Sequence, residues 1–250
     1  GIYAVTSIVN LDEDAEVYYN RAGAGGGAGN GGGAYLDDST LWGDKAQIHY
    51  NTATTSGGGV YATNASLLDM DLGSYTCTGP RCSRLSNNTA LTLYGGGAYA
   101  TGSSVVDLRQ VFIESNSASF AGGVYVYQST LNLYNSLLAR NDASDGVGDA
   151  LRIYTGASLN GSHNTLANND AGGATSGVAI STTVTTLTLS NSIIWNHTTS
   201  IDLEGQVVTC SDIQGGYAGT GNLNRNPQFI DPASSNFHLR STSPVIDRCA

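Results

Sequence analysis

Three aspartates and one arginine are the residues whose spacing could concentrate chemistry at one point of this chain. Asp69 and Asp107 each fall ten residues after the second glycine of a Gly-Gly pair, Gly59 and Gly97. If those pairs mark equivalent positions in a stacked repeat, the two carboxylates face outward from neighbouring strands about 5 Å apart. At that separation a carboxylate pair can serve as acid and nucleophile in glycoside cleavage, or can join Asp71 in holding calcium. Calcium is the one cofactor that these residues suggest. Arg109 is the base nearest the pair and the candidate proton abstractor of an eliminative mechanism. The simpler expectation, which we prefer, is two solvated aspartates with modest mutual repulsion.

A second set is aromatic. In Gly-Gly-Val-Tyr-Ala, strand alternation sends Val60 and Ala62 inward and Tyr61 outward. The same parity places Tyr3, Tyr35, Tyr61, Tyr99 and Tyr125 in one outward column, continued by Arg152. An exposed stripe of rings can stack on sugars or receive another chain, so Tyr35, Tyr61, Tyr99 and Tyr125 are the candidate ligand-binding residues. The structural alternative, that the phenols stack on one another and cover backbone, is the one the repeat itself favours. The histidines 49, 163, 197 and 238 fall in different repeats, and no Ser-His-Asp or Cys-His arrangement can be assembled. Of the Asn-Thr-Asp, Asp-Asp, Gly-His-Gly and Arg-x-Lys motifs of pectin-type hydrolases, only the bare dipeptide Asp37-Asp38 occurs. A binding role is therefore expected over catalysis, with a polysaccharide lyase or hydrolase as the alternative.

Four cysteines, an even number, suit an oxidising compartment. Cys77 and Cys82 flank Thr-Gly-Pro-Arg, a turn sequence, which leaves Cys210 to pair with Cys249. Zinc is disfavoured because no second CxxC or histidine pair lies near the first two.

These side chains must be positioned by a repeat. Gly-Gly-Ala/Val-Tyr-small recurs from Gly32, Gly58, Gly96 and Gly122, with degenerate copies near Gly148 and Gly177. Between the copies lies apolar-x-x-Asn, ending at Asn20, Asn51, Asn88, Asn116, Asn141, Asn169 and Asn196. The asparagine spacings are 31, 37, 28, 25, 28 and 27, and the two longest contain insertions at 23–33 and 71–84. Short apolar/polar alternations such as Thr130-Leu-Asn-Leu133 indicate strands, and no segment carries a sustained helical period. A unit of this length cannot bury its apolar face alone but can when stacked on copies of itself. The expectation is an all-β chain, a right-handed parallel β-helix of eight or nine coils with a C-terminal cap. The asparagines are expected to turn the chain in left-handed backbone and to bond amide to amide between coils, forming a ladder. Gly-Gly would mark a corner needing positive φ or close backbone approach.

Composition narrows the partners. Acids outnumber Lys and Arg 20 to 10, a formal charge of −10, and no basic cluster offsets it. Nucleic acid and anionic membranes are poor partners for such a surface, and no apolar run reaches the length of a membrane span. Extracellular polysaccharide or a surface protein remains, and end-to-end self-association is a third expectation because Gly1-Ile-Tyr-Ala-Val already reads as the middle of a coil.

The repeats resemble those of polymorphic outer-membrane proteins and related β-helix passengers. From Asn191-Ser-Ile-Ile-Trp-Asn196 through Ser211-Asp-Ile-Gln-Gly-Gly-Tyr217, Asn226-Pro-Gln-Phe-Ile-Asp-Pro232 and Ser243-Pro-Val-Ile-Asp247, the chain is similar to the terminal portion of the choice-of-anchor Q family. The anchoring segment of that family does not follow Asp247 in this sequence. The resemblance implies an exported, extracellular or cell-surface bacterial β-helix acting as a stalk, adhesin or glycan-binding module. Residues 1–205 would form the helix and 206–250 the last coil and the cap that closes it.

Overall fold

The computed structural model describes residues 1–71, 82–145, 147–169, 178–182, 186–197 and 206–249. Within them the chain winds into stacked parallel strands. The first sheet has seven strands, from Ile2–Val5 to Val178–Thr182, and the second eight, from Ile8–Leu11 to Val207–Thr209. The third also has eight, from Glu16–Tyr18 to Asp212–Ile213, and a five-stranded fourth of two-residue strands begins at Arg21–Ala22. Among the described residues there is no α-helix, only a 3-10 turn at Pro232–Ser234. The last coil adds to the second and third sheets alone, so complete coils are fewer than the eight or nine expected.

Alternation does what the sequence pattern implies. Leu36, Leu41, Ile48, Val60, Leu68, Leu85, Ile113 and Leu138 point inward and lie in one continuous core with no solvent exposure. The Gly-Gly pairs are required by close approach rather than by positive φ. A Cβ on Gly58 would meet the carbonyl oxygen of Gly96 at 2.5 Å, and one on Gly96 would meet that of Gly122 at 2.5 Å. The left-handed residue is the preceding one, Gly57 at φ 64° and Gly95 at φ 63°.

The asparagine ladder is present with two corrections. The Nδ2 of Asn20 donates to Oδ1 of Asn51 at 3.0 Å, and the relay continues to Asn88 (3.1 Å), Asn116 (3.1 Å), Asn141 (3.0 Å) and Asn169 (2.9 Å). Each Oδ1 also accepts the backbone N–H of the asparagine before it, as Asn141 does from Asn116 at 3.1 Å. The first correction is that these asparagines do not turn the chain. The left-handed residue is the one before: Tyr19, Tyr50, Asn87, Ser115, Arg140 and Asn168. The second is that Asn196 is not a rung. Leu166 is in register with Ile194, not Ile193, so the rung falls on His197, which is buried and contacts the carbonyl oxygens of Asn169 and Leu166 at 3.1 and 3.2 Å. Asn196 bonds instead to Asn168 on the outer side of the corner.

Two further ladders seal the other corners. Between the first and second sheets, Ser39, Ser66, Ser104 and Ser129 each accept the N–H of the serine one coil earlier, at 3.0–3.2 Å. Between the second and third, Ser136, Asn164, Ser192 and Ser211 repeat the arrangement. The N–H groups of these corner residues, which the strands leave unpaired, find their acceptors in this way.

The C-terminal segment returns to the body of the coil at several points. Leu223 bonds beside Asp212 and Ile213 and extends the third sheet at its end. Cys210 and Cys249 form a disulfide with Cα atoms 5.6 Å apart. Cys82 is buried and disulfide-bonded, while Cys77 lies outside the described residues. Between these features the antiparallel hairpin Phe229–Asp231/Asn236–Leu239 folds back along the side of the helix. Its rings Phe229 and Phe237 meet edge to face at 5.3 Å and pack on Ala139 and Ala167, with Leu137, Ile193 and Trp195 around them. Arg140 and Asn168 hold the turn through the carbonyl oxygen of Pro232, at 3.5 and 3.4 Å.

Candidate functional site

The acidic candidates come together as expected, on the outer face of the second sheet. Asp69 and Asp107 are register partners, as are Asp71 and Arg109. The row that contains them begins at Asn10 and runs on through Trp42, Asp69, Asp107, Asn132 and Asn160, one residue per coil. Trp42 is 54% exposed, an unusual degree for an indole. Asn160 donates to Asn132 at 3.1 Å. Arg109 sits between two carboxylates, with Nε 3.1 Å from Asp107 and 3.5 Å from Asp71, and its guanidinium lies 4.5 Å above the ring of Tyr134.

That arginine decides between the chemistries proposed for the acids. It already occupies the space between Asp71 and Asp107 that a cation would take, and among the described residues no three acidic, histidine or cysteine side chains converge as metal ligands. The calcium candidate Asp69/Asp71/Asp107 is therefore not carried by the geometry. As a proton abstractor Arg109 is equally poor, since two ion pairs hold its proton in place. Burial first, then the charges of Asp107 and Asp71, raise the Asp69 carboxyl above the usual aspartate value, with Arg109 opposing.

The tyrosine column also forms in the expected register, from Tyr3 through Tyr35, Tyr61, Tyr99 and Tyr125 to Arg152. It is not the open stripe that the sequence suggested. Tyr3 is 76% exposed, but Tyr99 and Tyr125 are buried at 9% and 5%. The cause is the residue before the glycine run: Asn30 and Ser56 in the upper coils, Tyr94 and Phe120 in the lower ones. The ring of Tyr94 lies 5.4 Å from Tyr99 and 4.6 Å from Tyr125 and closes over both. Where the column is open, Tyr3, Tyr35 and Tyr61 stand 5.2 Å apart at interplanar angles of 12° and 4°. Both faces of Tyr35 are spent on its neighbours, which leaves its edge and hydroxyl for solvent, and only the end ring Tyr3 lacks a ring partner on one side. Burial, then Tyr99, Tyr35 and Asp37, push the Tyr61 phenol up to about 12, and it stays neutral. The column is cladding for the first sheet.

The hairpin and the corner between the second and third sheets enclose an open groove of about 450 Å³, lined among others by Gln110, Phe112, Asn135, His163, Phe237 and His238. Two of the four scattered histidines meet there. The other two do not: His49 stacks on Tyr18 at 5.4 Å, and His197 is the ladder rung.

Residues 40–211, more than two-thirds of the chain, match the family model described as a right-handed beta helix region. The chain belongs to that family. The match settles the hand of the coil and spans the row from Trp42 to Asn160. No curated protein and no solved structure is significantly similar to it.

Proposed function

We propose that this right-handed β-helix is a non-enzymatic glycan-binding module of an extracellular or cell-surface bacterial protein, and that the outer face of the second sheet is its binding surface. One observation carries the reading: the half-exposed indole of Trp42 stands within a row of amides and carboxylates spaced one coil apart, between Asn10 and Asp69. Parallel strands repeat every ~4.8 Å, close to the length of one pyranose residue in an extended chain. Indole faces and planar polar groups are the side chains that sugar rings and hydroxyls engage. The Cys210–Cys249 disulfide supports an oxidising compartment. The similarity to polymorphic outer-membrane repeats and to the choice-of-anchor Q terminal portion supports a bacterial surface.

A hydrolase is the second reading, favoured by the raised Asp69 carboxyl directly opposite Asp107 on the next strand. The two are separated by incubating the protein with a panel of neutral and acidic polysaccharides and assaying both retention and new reducing or unsaturated ends. Retention without new ends, lost in Trp42→Ala, is the expected result. New ends that vanish in Asp69→Asn would replace binding with catalysis.

A further inference from the structure

We infer that the groove under the C-terminal hairpin is a second binding site, for a single neutral hexopyranoside unit such as a chain end or branch. It takes a ligand of the same class as the proposed face and rests on that reading for the choice of sugar. The groove itself is argued from its own walls.

The chain carries a formal charge of −10, yet no Asp, Glu, Lys or Arg lines this groove. An uncharged hollow on an acidic surface selects against ions and in favour of a ligand held by hydrogen bonds and ring contacts. The walls provide both. Phe112 and Leu137 project outward from the third sheet, and Phe237 closes the opposite side from the hairpin. Gln110, Asn135 and His163 are consecutive left-handed corner residues, at φ 56°, 49° and 59°. They form a column of two amides and an imidazole, each able to donate and to accept. His238 faces them from the hairpin. A hollow of about 450 Å³ falls within the ~300–1,000 Å³ of small-ligand pockets, which combine apolar walls with a few convergent polar groups.

The position also fits. Arg109 and Tyr134, at the edge of the proposed face, are followed directly in the chain by Gln110 and Asn135 in the groove. A glycan lying on the second sheet would need only to turn the corner to place a branch there. The hairpin that completes the site is held on small outward residues, Ala139 and Ala167, whose two positions would otherwise carry no evident function.

The four histidines make the test direct, because each gives its own imidazole signals in a proton NMR spectrum. The full chain is titrated with the methyl glycosides of glucose, galactose, mannose and N-acetylglucosamine, one at a time. The expected result is saturable movement of His163 and His238 for at least one glycoside, with His49 and His197 unmoved. His238→Ala should weaken that binding by about 3- to 10-fold, the loss of one neutral hydrogen bond. Thr165→Trp, which fills the groove, should abolish it while limited proteolysis reports that the hairpin is still docked. If Thr165→Trp releases the hairpin, His238→Ala decides alone. The inference is overturned if no glycoside moves both signals, or if the movement persists unchanged in His238→Ala. Polysaccharide retention that depends on Trp42 while both histidines stay silent would overturn the groove and leave the face standing. Histidine movement with retention indifferent to Trp42→Ala would do the reverse.

Discussion

Replacing Asn141 by alanine removes four hydrogen bonds from the interior of the ladder at once. Its Nδ2 donates to Asn169 Oδ1 at 2.9 Å and to the Ile113 carbonyl at 2.8 Å, and its Oδ1 accepts from the N–H and Nδ2 of Asn116 at 3.1 and 3.0 Å. Not all of these losses leave a group stranded. Asn116 Nδ2 keeps its bond to Leu85, and Asn169 Oδ1 keeps the N–H of residue 141. The Asn116 N–H loses its acceptor in a site with no solvent exposure, and an orphaned buried donor costs about 1–3 kcal/mol. With the small void added, the expected loss is about 3 kcal/mol, or roughly 6–12 °C in melting temperature for a chain of this size. Asn20→Ala, at the partly exposed head of the ladder, should cost under about 1 kcal/mol. Asn141→Asp should be worse than alanine at neutral pH, because a carboxylate cannot donate to Asn169, and should recover on acidification as it gains a proton. Thermal unfolding followed by circular dichroism compares the three. Equal melting temperatures for Asn141→Ala and Asn20→Ala would refute the reasoning that buried amide pairing, rather than the strands alone, locks the coils together.

Reduction of Cys210–Cys249, whose sequence separation is 39, should lower stability by about 4 kcal/mol on the chain-entropy estimate, and non-reducing peptide mapping should join those two cysteines to each other and neither of them to Cys82. Tyr125→Ser should destabilise by about 3 kcal/mol or more while Tyr3→Ser stays within about 0.5 kcal/mol, since one ring is buried among aromatics and the other stands in solvent; equal effects in chemical denaturation would contradict the cladding role. Native Asp69 holds its proton more tightly than the unfolded chain does, so its contribution is fully present below the unfolded aspartate pKa of about 3.9 and is lost as pH rises through the raised native value. Asp69→Asn should therefore gain stability relative to the parent as pH rises through that window, and an unchanged difference from acid to neutral pH would argue against the shift. Ala167→Asp, beneath the hairpin rings, should undock the hairpin and shift Trp195 emission to the red without unwinding the coils.

Much of the fold was legible because the repeat encodes it locally. The parity of Gly-Gly-Val-Tyr-Ala set which residues point inward, and the ten-residue offset from Gly59 and Gly97 placed Asp69 opposite Asp107. The failures share a cause, which is that one-residue offsets at corners carry large consequences. Ile193 and Ile194 are both apolar, so alternation could not say which faced the core, and the ladder was assigned to Asn196 instead of His197. Burial of Tyr99 and Tyr125 depends on Tyr94 and Phe120, whose aromatic character against Asn30 and Ser56 was a visible signal, but one that only coil geometry converts into a second layer. The hairpin groove was not readable at all. It joins Gln110 to His238 across most of the C-terminal half, and the only local hint was the run of small outward residues, Ala139 and Ala167, where larger side chains would have kept the hairpin away.

The proposed binding face is tested most directly at Trp42. In a Trp195→Phe background the remaining indole is the only tryptophan, and its quenching by acrylamide measures its accessibility in solution. With a polysaccharide that the protein retains, quenching should fall as the ligand covers the second sheet, and it should fall again in proportion to retention across the panel. Retention of the polysaccharide with Trp42 quenched as freely as in its absence would place the glycan elsewhere and contradict the assignment of this face.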